Sequence, residues 1–201
     1  LLVTGANDAA NVLAEYVGGS IESFCQMMNE KAAAIGAVST KFVNPTGIHD
    51  TSMVTTARDI AVIARYFYYI NPLYEMSCTT RYIVPPTPQT SRQRVLLNRN
   101  LLISRVRSDK YYYSAAKGMS LGNTPEAGEC IVTSAVDESG LTYICVIMNA
   151  YADEESNRAC TDAAALLSMC LNHFAYTTVL SPKTLISELP VHLAVDTDYV
   201  T

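Results

Sequence analysis

Apolar residues recur at helical spacing through the first third of the chain. Over 7–17, Ala9, Ala10, Leu13, Ala14 and Val17 fall on one face of a helix, and Gly18-Gly19 ends it. Ser20 is placed to cap a second helix through Ile35 that turns Ile21, Phe24, Met27 and Met28 inward, with Gly36 as its stop. Residues 40–50 hold a loop built on Asn44-Pro45-Thr46-Gly47. A third helix is predicted from Thr55 or Thr56, with Asp59 in its first turn and Ile60, Ile63, Ala64 and Phe67 along its length. Asn71-Pro72 interrupts it, since a residue before proline is biased away from helix.

The period changes near Thr79. Tyr82-Ile83-Val84 reads as a strand, followed by a turn at Pro85-Pro86-Thr87-Pro88. Strand patterning resumes over 110–122 and 129–136; Asp137-Glu138-Ser139-Gly140 is a hairpin connection, with the return strand over 141–148. An Ala- and Leu-rich helix over 156–174 follows. Helices, then an antiparallel hairpin, then one more helix define an α+β class. The tail over 186–191 reads as a strand after Pro182, the start of another module.

Composition narrows the function classes. The 201 residues suffice for one domain or one domain with a small appendage. With 49% hydrophobic and 16% charged residues, the chain can bury a sizeable core. A net charge of -5 supplies no field for nucleic acid or an acidic membrane face, and no apolar run approaches the ~18 residues of a membrane span. The opening Leu1-Leu2-Val3, without Met or a leader pattern, reads as a cut edge. The six cysteines (Cys25, Cys78, Cys130, Cys145, Cys160, Cys170) form no C-x-x-C pair, and with three scattered histidines there is no zinc spacing. They are expected to pack as small core residues; no metal or cofactor is expected.

Three stretches carry a resemblance. The first is Leu1-Leu2-Val3-Thr4-Gly5-Ala6-Asn7-Asp8-Ala9-Ala10-Asn11. The second is Thr40-Lys41-Phe42-Val43-Asn44-Pro45-Thr46-Gly47-Ile48, with Thr56-Ala57-Arg58-Asp59 after it. The third is Ala116-Lys117-Gly118-Met119-Ser120-Leu121-Gly122-Asn123-Thr124-Pro125-Glu126-Ala127-Gly128. In this order and spacing they resemble the serine D-alanyl-D-alanine carboxypeptidases, the low-molecular-mass penicillin-binding proteins of peptidase family S11. The resemblance implies a partial β-lactamase/transpeptidase-like fold over 1–176, with 177–201 as linker and first strand of a C-terminal β-domain. It also implies an extracytoplasmic place in a bacterial cell envelope, with no nucleic-acid partner. The implied ligand is a peptidoglycan stem peptide ending in D-Ala-D-Ala, joined by β-lactams if the full-length protein is intact.

In that family a Ser of S-x-x-K attacks the D-Ala-D-Ala carbonyl while the Lys takes its proton. An S-x-N motif supplies a hydroxyl and a substrate-holding amide, and a K-T-G strand lies along the substrate and supplies charge. Here the S-x-x-K would lie upstream of Leu1. The S-x-N slot reads Gly5-Ala6-Asn7, and the K-T-G slot reads Ser120-Leu121-Gly122. The resemblance therefore assigns Asn7 to the catalytic motif's slot. It assigns Gly5, Ser120, Leu121, Gly122 and Thr124 to substrate binding, together with Arg158 for the terminal carboxylate. The two motifs are expected to face one another across a cleft. An upstream nucleophile helix would cover apolar surface on the helix over 7–17 and on one sheet face, so both are expected to be exposed.

Other matches are weaker. Ser114-Ala115-Ala116-Lys117 fits S-x-x-K literally but lies in a strand-like stretch, where an offset of three sends side chains to opposite faces. The same parity turns Lys117 away from Ser120 unless a bulge intervenes. His49-Asp50 reads as a solvated loop, Tyr111-Tyr112-Tyr113 mostly as core, His173 as a favourable charge at a helix end, and His192 as part of the appendage. Three functions remain open: a degenerate family member that still holds cell-wall peptide, an active carboxypeptidase with its nucleophile upstream, and a non-catalytic envelope module.

Overall fold

The computed structural model describes residues 1–151, 156–175, 177 and 179, together with the backbone of two short strands near the end. Helix α1 (Asn7–Gly18) stops at Gly19, whose φ of 77° is open to glycine and whose N–H closes on the Glu15 carbonyl at 2.8 Å. Only the small Ala10 and Ala14 of its apolar stripe are buried; Leu13 and Val17 are exposed, as are Val12 and Tyr16 (88%). Helix α2 (Ile21–Ala34) starts where its sequence predicts, with Ser20 Oγ accepting from the Ser23 N–H at 3.1 Å. Its inner position goes to Cys25, while Met27 faces out. In α3 (Ala57–Tyr68), Thr56 caps the Asp59 N–H, and Asp59 reaches back to accept from Ser39 N and Thr40 Oγ1 at 2.7 and 2.8 Å.

The third helix ends before Asn71-Pro72 as expected, and those two residues then open a further helix, α4 (Asn71–Cys78). Pro72 fits the first turn because a proline there forfeits no intrahelical hydrogen bond. A small hairpin follows, β1 (Arg81–Val84) against β2 (Arg94–Leu97). The main sheet has the antiparallel order β3 (Ala116–Thr124), β4 (Gly128–Val136), β5 (Thr142–Ala150). The strand expected from residue 110 begins only at Ala116, after turns. The β4–β5 connection is held by Asp137, whose Oδ1 accepts from Ser139 N and Leu141 N at 2.8 and 2.9 Å. These bonds, led by the Ser139 hydroxyl, keep the Asp137 carboxyl below its ordinary pKa.

Helix α5 (Arg158–His173), capped by Asn157 on Cys160 N, covers one face of the sheet. There Ala159, Cys160, Ala163 and Leu167 pack on Ile131, Ala135 and Cys145 to form the core. The other face meets α3 and α4, with Tyr68 Oη 3.0 Å from Thr142 Oγ1 and Tyr74 Oη 3.0 Å from Ser134 Oγ. All six cysteines are free, with Cys25, Cys145 and Cys160 buried as core residues. A short ladder pairs β6 (Leu189–Pro190) with β7 (Tyr199–Val200); the rest of the tail over 186–191, and His192, lie outside the described residues. Among the described residues no helix is long and apolar enough to cross a membrane.

Candidate active site

A cavity of about 560 Å³ opens between the entry to α1, the loop at 46–48, helix α3 and strand β3. Each wall has a local cause. The chain enters α1 through a turn closed by Gly5 N–H on the Leu1 carbonyl at 2.7 Å, with Gly5 at φ 64°. Asn7 is the first residue of the helix, and Ala6 at the cap offers no side-chain bond to the free N–H groups. The loop is shaped by Asn44, whose Oδ1 accepts from Thr46 N, Thr46 Oγ1 and Gly47 N and whose amide donates to the Ile48 carbonyl. Ile60, Ile63 and Phe67 of α3 supply an apolar side.

The β3 wall depends on a bulge. Lys117 pairs with Ser134 but Ser120 pairs with Val132, so three steps on β3 match two on β4. From Ser120 onward the pleat alternates: Ser120, Gly122 and Thr124 share the face of Val132 that looks into the cavity. Leu121 packs instead against the core cluster under α5, although it also borders the cavity. The bulge corrects the parity expected for Lys117, which lies on the same face as Ser120. Lys117 nevertheless borders a separate hollow with Tyr68, Tyr74, Glu75 and Cys78. Tyr74 there is pushed up to about 12, chiefly by burial, with its bond to Ser134 pulling the other way and Cys78 adding to the rise. Ser114 sits in a turn rather than a strand or helix, exposed and two residues ahead of β3.

Of the residues singled out in the sequence, the fold gathers Gly5, Asn7, Ser120, Leu121, Gly122 and Thr124 around this one cavity. Arg158, the first residue of α5, does not line it; its guanidinium lies 5.7 Å from the centre of the Tyr151 ring. His49 and Asp50 are exposed in a loop where Asp50 accepts from Ser52 N. Tyr111 and Tyr113 pack against the core, and Tyr111 Oη accepts from Asn157 N at 2.7 Å.

Sequence reasoning passed over the segment Asn98-Arg99-Asn100. Asn98 and Asn100 are 2% and 1% exposed, and each spends its amide on backbone. Asn98 Nδ2 donates to the Ser77 and Thr79 carbonyls, and Asn100 Nδ2 donates to the Gly118 carbonyl at 2.7 Å. Their Oδ1 atoms accept from Asn100 N and Leu102 N. Between them, Arg99 donates its N–H to Val3 and lines the cavity. The alternation Asn-Arg-Asn was the only sequence signal, and it means nothing until the distant carbonyls it serves are known.

The α+β domain, with its helical layer and antiparallel sheet meeting at a cleft, superposes on solved DD-peptidase and penicillin-binding protein structures, which gives the class: a transpeptidase-like fold. The family profile described as D-alanyl-D-alanine carboxypeptidase matches residues 1–152, and the chain belongs to that family. It is 29% identical over 161 residues to D-alanyl-D-alanine carboxypeptidase DacF of Bacillus subtilis, an alignment that takes in 80% of this chain and 39% of the relative. It is 32% identical over 152 residues to a D-alanyl-D-alanine endopeptidase of Escherichia coli, covering 75% of this chain and 46% of that one. The solved D-alanyl-D-alanine carboxypeptidase of Mycobacterium tuberculosis superposes with a TM-score of 0.73 at 25% identity, over 91% of this chain and 63% of that one. DacD of Francisella tularensis gives 0.72 at 26%, over 85% and 50%. The chain thus spans well under half the length of its first curated relatives, 39% and 35%.

Proposed function

We propose that this chain carries the ligand-holding half of a D-Ala-D-Ala peptide site of the bacterial cell envelope and does not itself hydrolyse the peptide. The observation that supports the reading is the lining of the cavity. Asn7 and the Ser120–Gly122 wall line the same cavity, which we read as a peptide cradle, yet among the described residues no lysine borders it. A serine hydroxyl attacks a carbonyl only with a base beside it. Ser120 and the threonines at 46 and 124 have no such neighbour in the cavity. Two of the relatives are named carboxypeptidase and endopeptidase for D-alanyl-D-alanine, which supports this ligand class.

The test has two arms on the 201-residue chain. Incubation with penicillin is expected to leave its mass unchanged, and a pentapeptide ending in D-Ala-D-Ala is expected to release no D-alanine. Calorimetric titration with N-acetyl-D-Ala-D-Ala is expected to show binding that the L-Ala-L-Ala isomer lacks. Gly122→Val should abolish it, because a Cβ at Gly122 meets no atom within 4 Å and so projects into open space without disturbing the strand. A stoichiometric acyl adduct would show an active enzyme, and equal affinity for the two isomers would remove the ligand class.

A further inference from the structure

The net charge of -5 hides an uneven distribution. Residues 81–110 hold seven of the 14 lysines and arginines but only one of the 19 acidic residues, so this stretch carries +6 and the rest of the chain -11. The fold makes an arm of it. Strands β1 and β2 pair with one another, and neither packs extensively on any other helix or strand among the described residues. Arg81, Arg92, Arg94, Arg99, Arg105 and Arg107 are all exposed. Arg105 has Asp109 beside it at 3.8 Å; Arg81, Arg92, Arg94 and Arg107 have no ion pair or side-chain hydrogen bond among the described residues.

Apolar side chains stand out between these cations. In the ladder Arg81 lies opposite Leu97 and Ile83 opposite Val95, so these four share one face, while Tyr82 and Arg94 belong to the other. Arg107 borders a hollow of about 370 Å³ with Val95 and Leu97, which brings the turn over 105–107 against the arm. Tyr82 is 53% exposed, Ile83 and Val95 45% each, and Val106, between two arginines, 76%. A soluble polyanion would engage the guanidinium groups and leave these four side chains wet. A neutral apolar partner would cover them and leave the charge unanswered. An anionic bilayer surface answers both: lipid phosphates receive the guanidinium forks, and tyrosine and aliphatic side chains settle at the boundary of headgroups and acyl chains.

We propose that the β1–β2 arm and the turn over 105–107 form a docking surface for an anionic phospholipid membrane, seated among its headgroups and not crossing it. The surface is separate from the cavity, and the proposal does not depend on what the cavity binds.

The chain contains no tryptophan, so Tyr82→Trp places a single fluorophore on the arm. With phosphatidylcholine vesicles containing phosphatidylglycerol, its emission should move to the blue and be quenched by brominated acyl chains. Pure phosphatidylcholine vesicles should leave it unchanged, and added salt should reverse the binding. In vesicle flotation, Arg92→Gln together with Arg94→Gln should weaken binding about 30-fold, from about fivefold per arginine at an anionic surface. Tyr82→Ser together with Val106→Ser should weaken it as well. Arg58→Gln together with Arg65→Gln, which removes two exposed arginines of α3, should not. Matching far-UV circular dichroism confirms that the variants are folded. No binding of wild type to anionic vesicles, equal binding to neutral ones, no quenching of the Tyr82→Trp chain, or an equal loss from the α3 pair would each overturn the proposal. Soluble polyphosphate tests the competing class. If it binds as tightly as the anionic vesicles, and Tyr82→Ser with Val106→Ser leaves vesicle binding intact, the arm is a polyanion site and the membrane surface falls.

Discussion

Replacing Asn100 by Ala tests the clamp that holds Arg99 and the bulge of β3 together. Asn100 is 1% exposed, with its amide on the Gly118 carbonyl at 2.7 Å and its oxygen on Leu102 N at 3.0 Å. Leu102 is itself fully buried, so the substitution strands one backbone acceptor and one donor away from water. Each orphaned group costs about 1–3 kcal/mol, giving a loss of about 2–6 kcal/mol. That is a large part of the ~5–15 kcal/mol that holds an ordinary domain. Urea denaturation followed by circular dichroism should show the midpoint falling by a corresponding fraction at unchanged slope. Asn100→Asp sharpens the test. The aspartate keeps the acceptor for Leu102 N but sets its second oxygen against the Gly118 carbonyl, which only the protonated acid can satisfy. Its carboxyl is therefore raised in the folded state. The stabilisation is present below the unfolded value of about 3.9 and is lost as pH rises through the folded value. Asn100→Asp should thus approach wild type near pH 4 and fall furthest behind at pH 8. A deficit that does not change with pH, or Asn100→Ala within about 0.5 kcal/mol of wild type (the scale of a neutral surface change), refutes the clamp.

Gly5→Ser should destabilise by about 1–2 kcal/mol, because φ at Gly5 is 64° and a side chain there is strained; Gly5→Ala should cost the same, and a variant as stable as wild type would show that the turn relaxes freely. Burial pushes the Cys145 thiol up to about 11 and the Cys160 thiol up to about 12, so at pH 8 both should react with a disulfide reagent about 100-fold or more slowly than an ordinary thiol; uniform labelling of all six cysteines in the native chain would contradict the core described. Tyr74 is raised from 10.0 to about 12, so its contribution is complete below pH 10 and disappears as pH climbs through 12. Tyr74→Phe should flatten part of the alkaline fall in the urea midpoint, and an unchanged slope between pH 9 and 12 would count against the buried hydroxyl.

The elements legible in the sequence were those with both a period and a cap. Ser20 and Thr56 mark α2 and α3, and Asp137 with Gly140 marks the main hairpin. Helix α4 lacks such a mark, since Asn71-Pro72 reads as a stop although a proline serves equally well in a first turn. Strand β2 was missed because Arg94 and Val95 both face solvent and give no alternation. The apolar stripe on α1 overstated its burial, since Ala10 and Ala14 pack closely enough to leave Leu13 and Val17 outside. At the site, the motif order located Gly5, Asn7 and Ser120–Thr124 on one cavity. It did not reveal that Leu121 faces the core, because the three motif positions are carried over as a block although neighbours in a strand point to opposite faces. Nor did it reveal Arg99, whose place depends on carbonyls at Ser77, Thr79 and Gly118 that lie far from it in sequence.

The extra residue between Lys117 and Ser120 gives β3 two reading frames. Removing one codon at 118–119 would close the bulge and match two steps on β3 to two on β4, so Ser120 would stay opposite Val132 and Ser120, Gly122 and Thr124 would keep facing the cavity. What the extra residue alters is the spacing in sequence: Lys117 and Ser120 share a face at an offset of three, where an unbroken strand shares a face only at even offsets. A residue lost within 121–123, outside the bulge, would instead slip the pleat and exchange the two faces beyond it. An alignment would record either event as one gap near the same motif, although one leaves the wall as it is and the other turns it inside out.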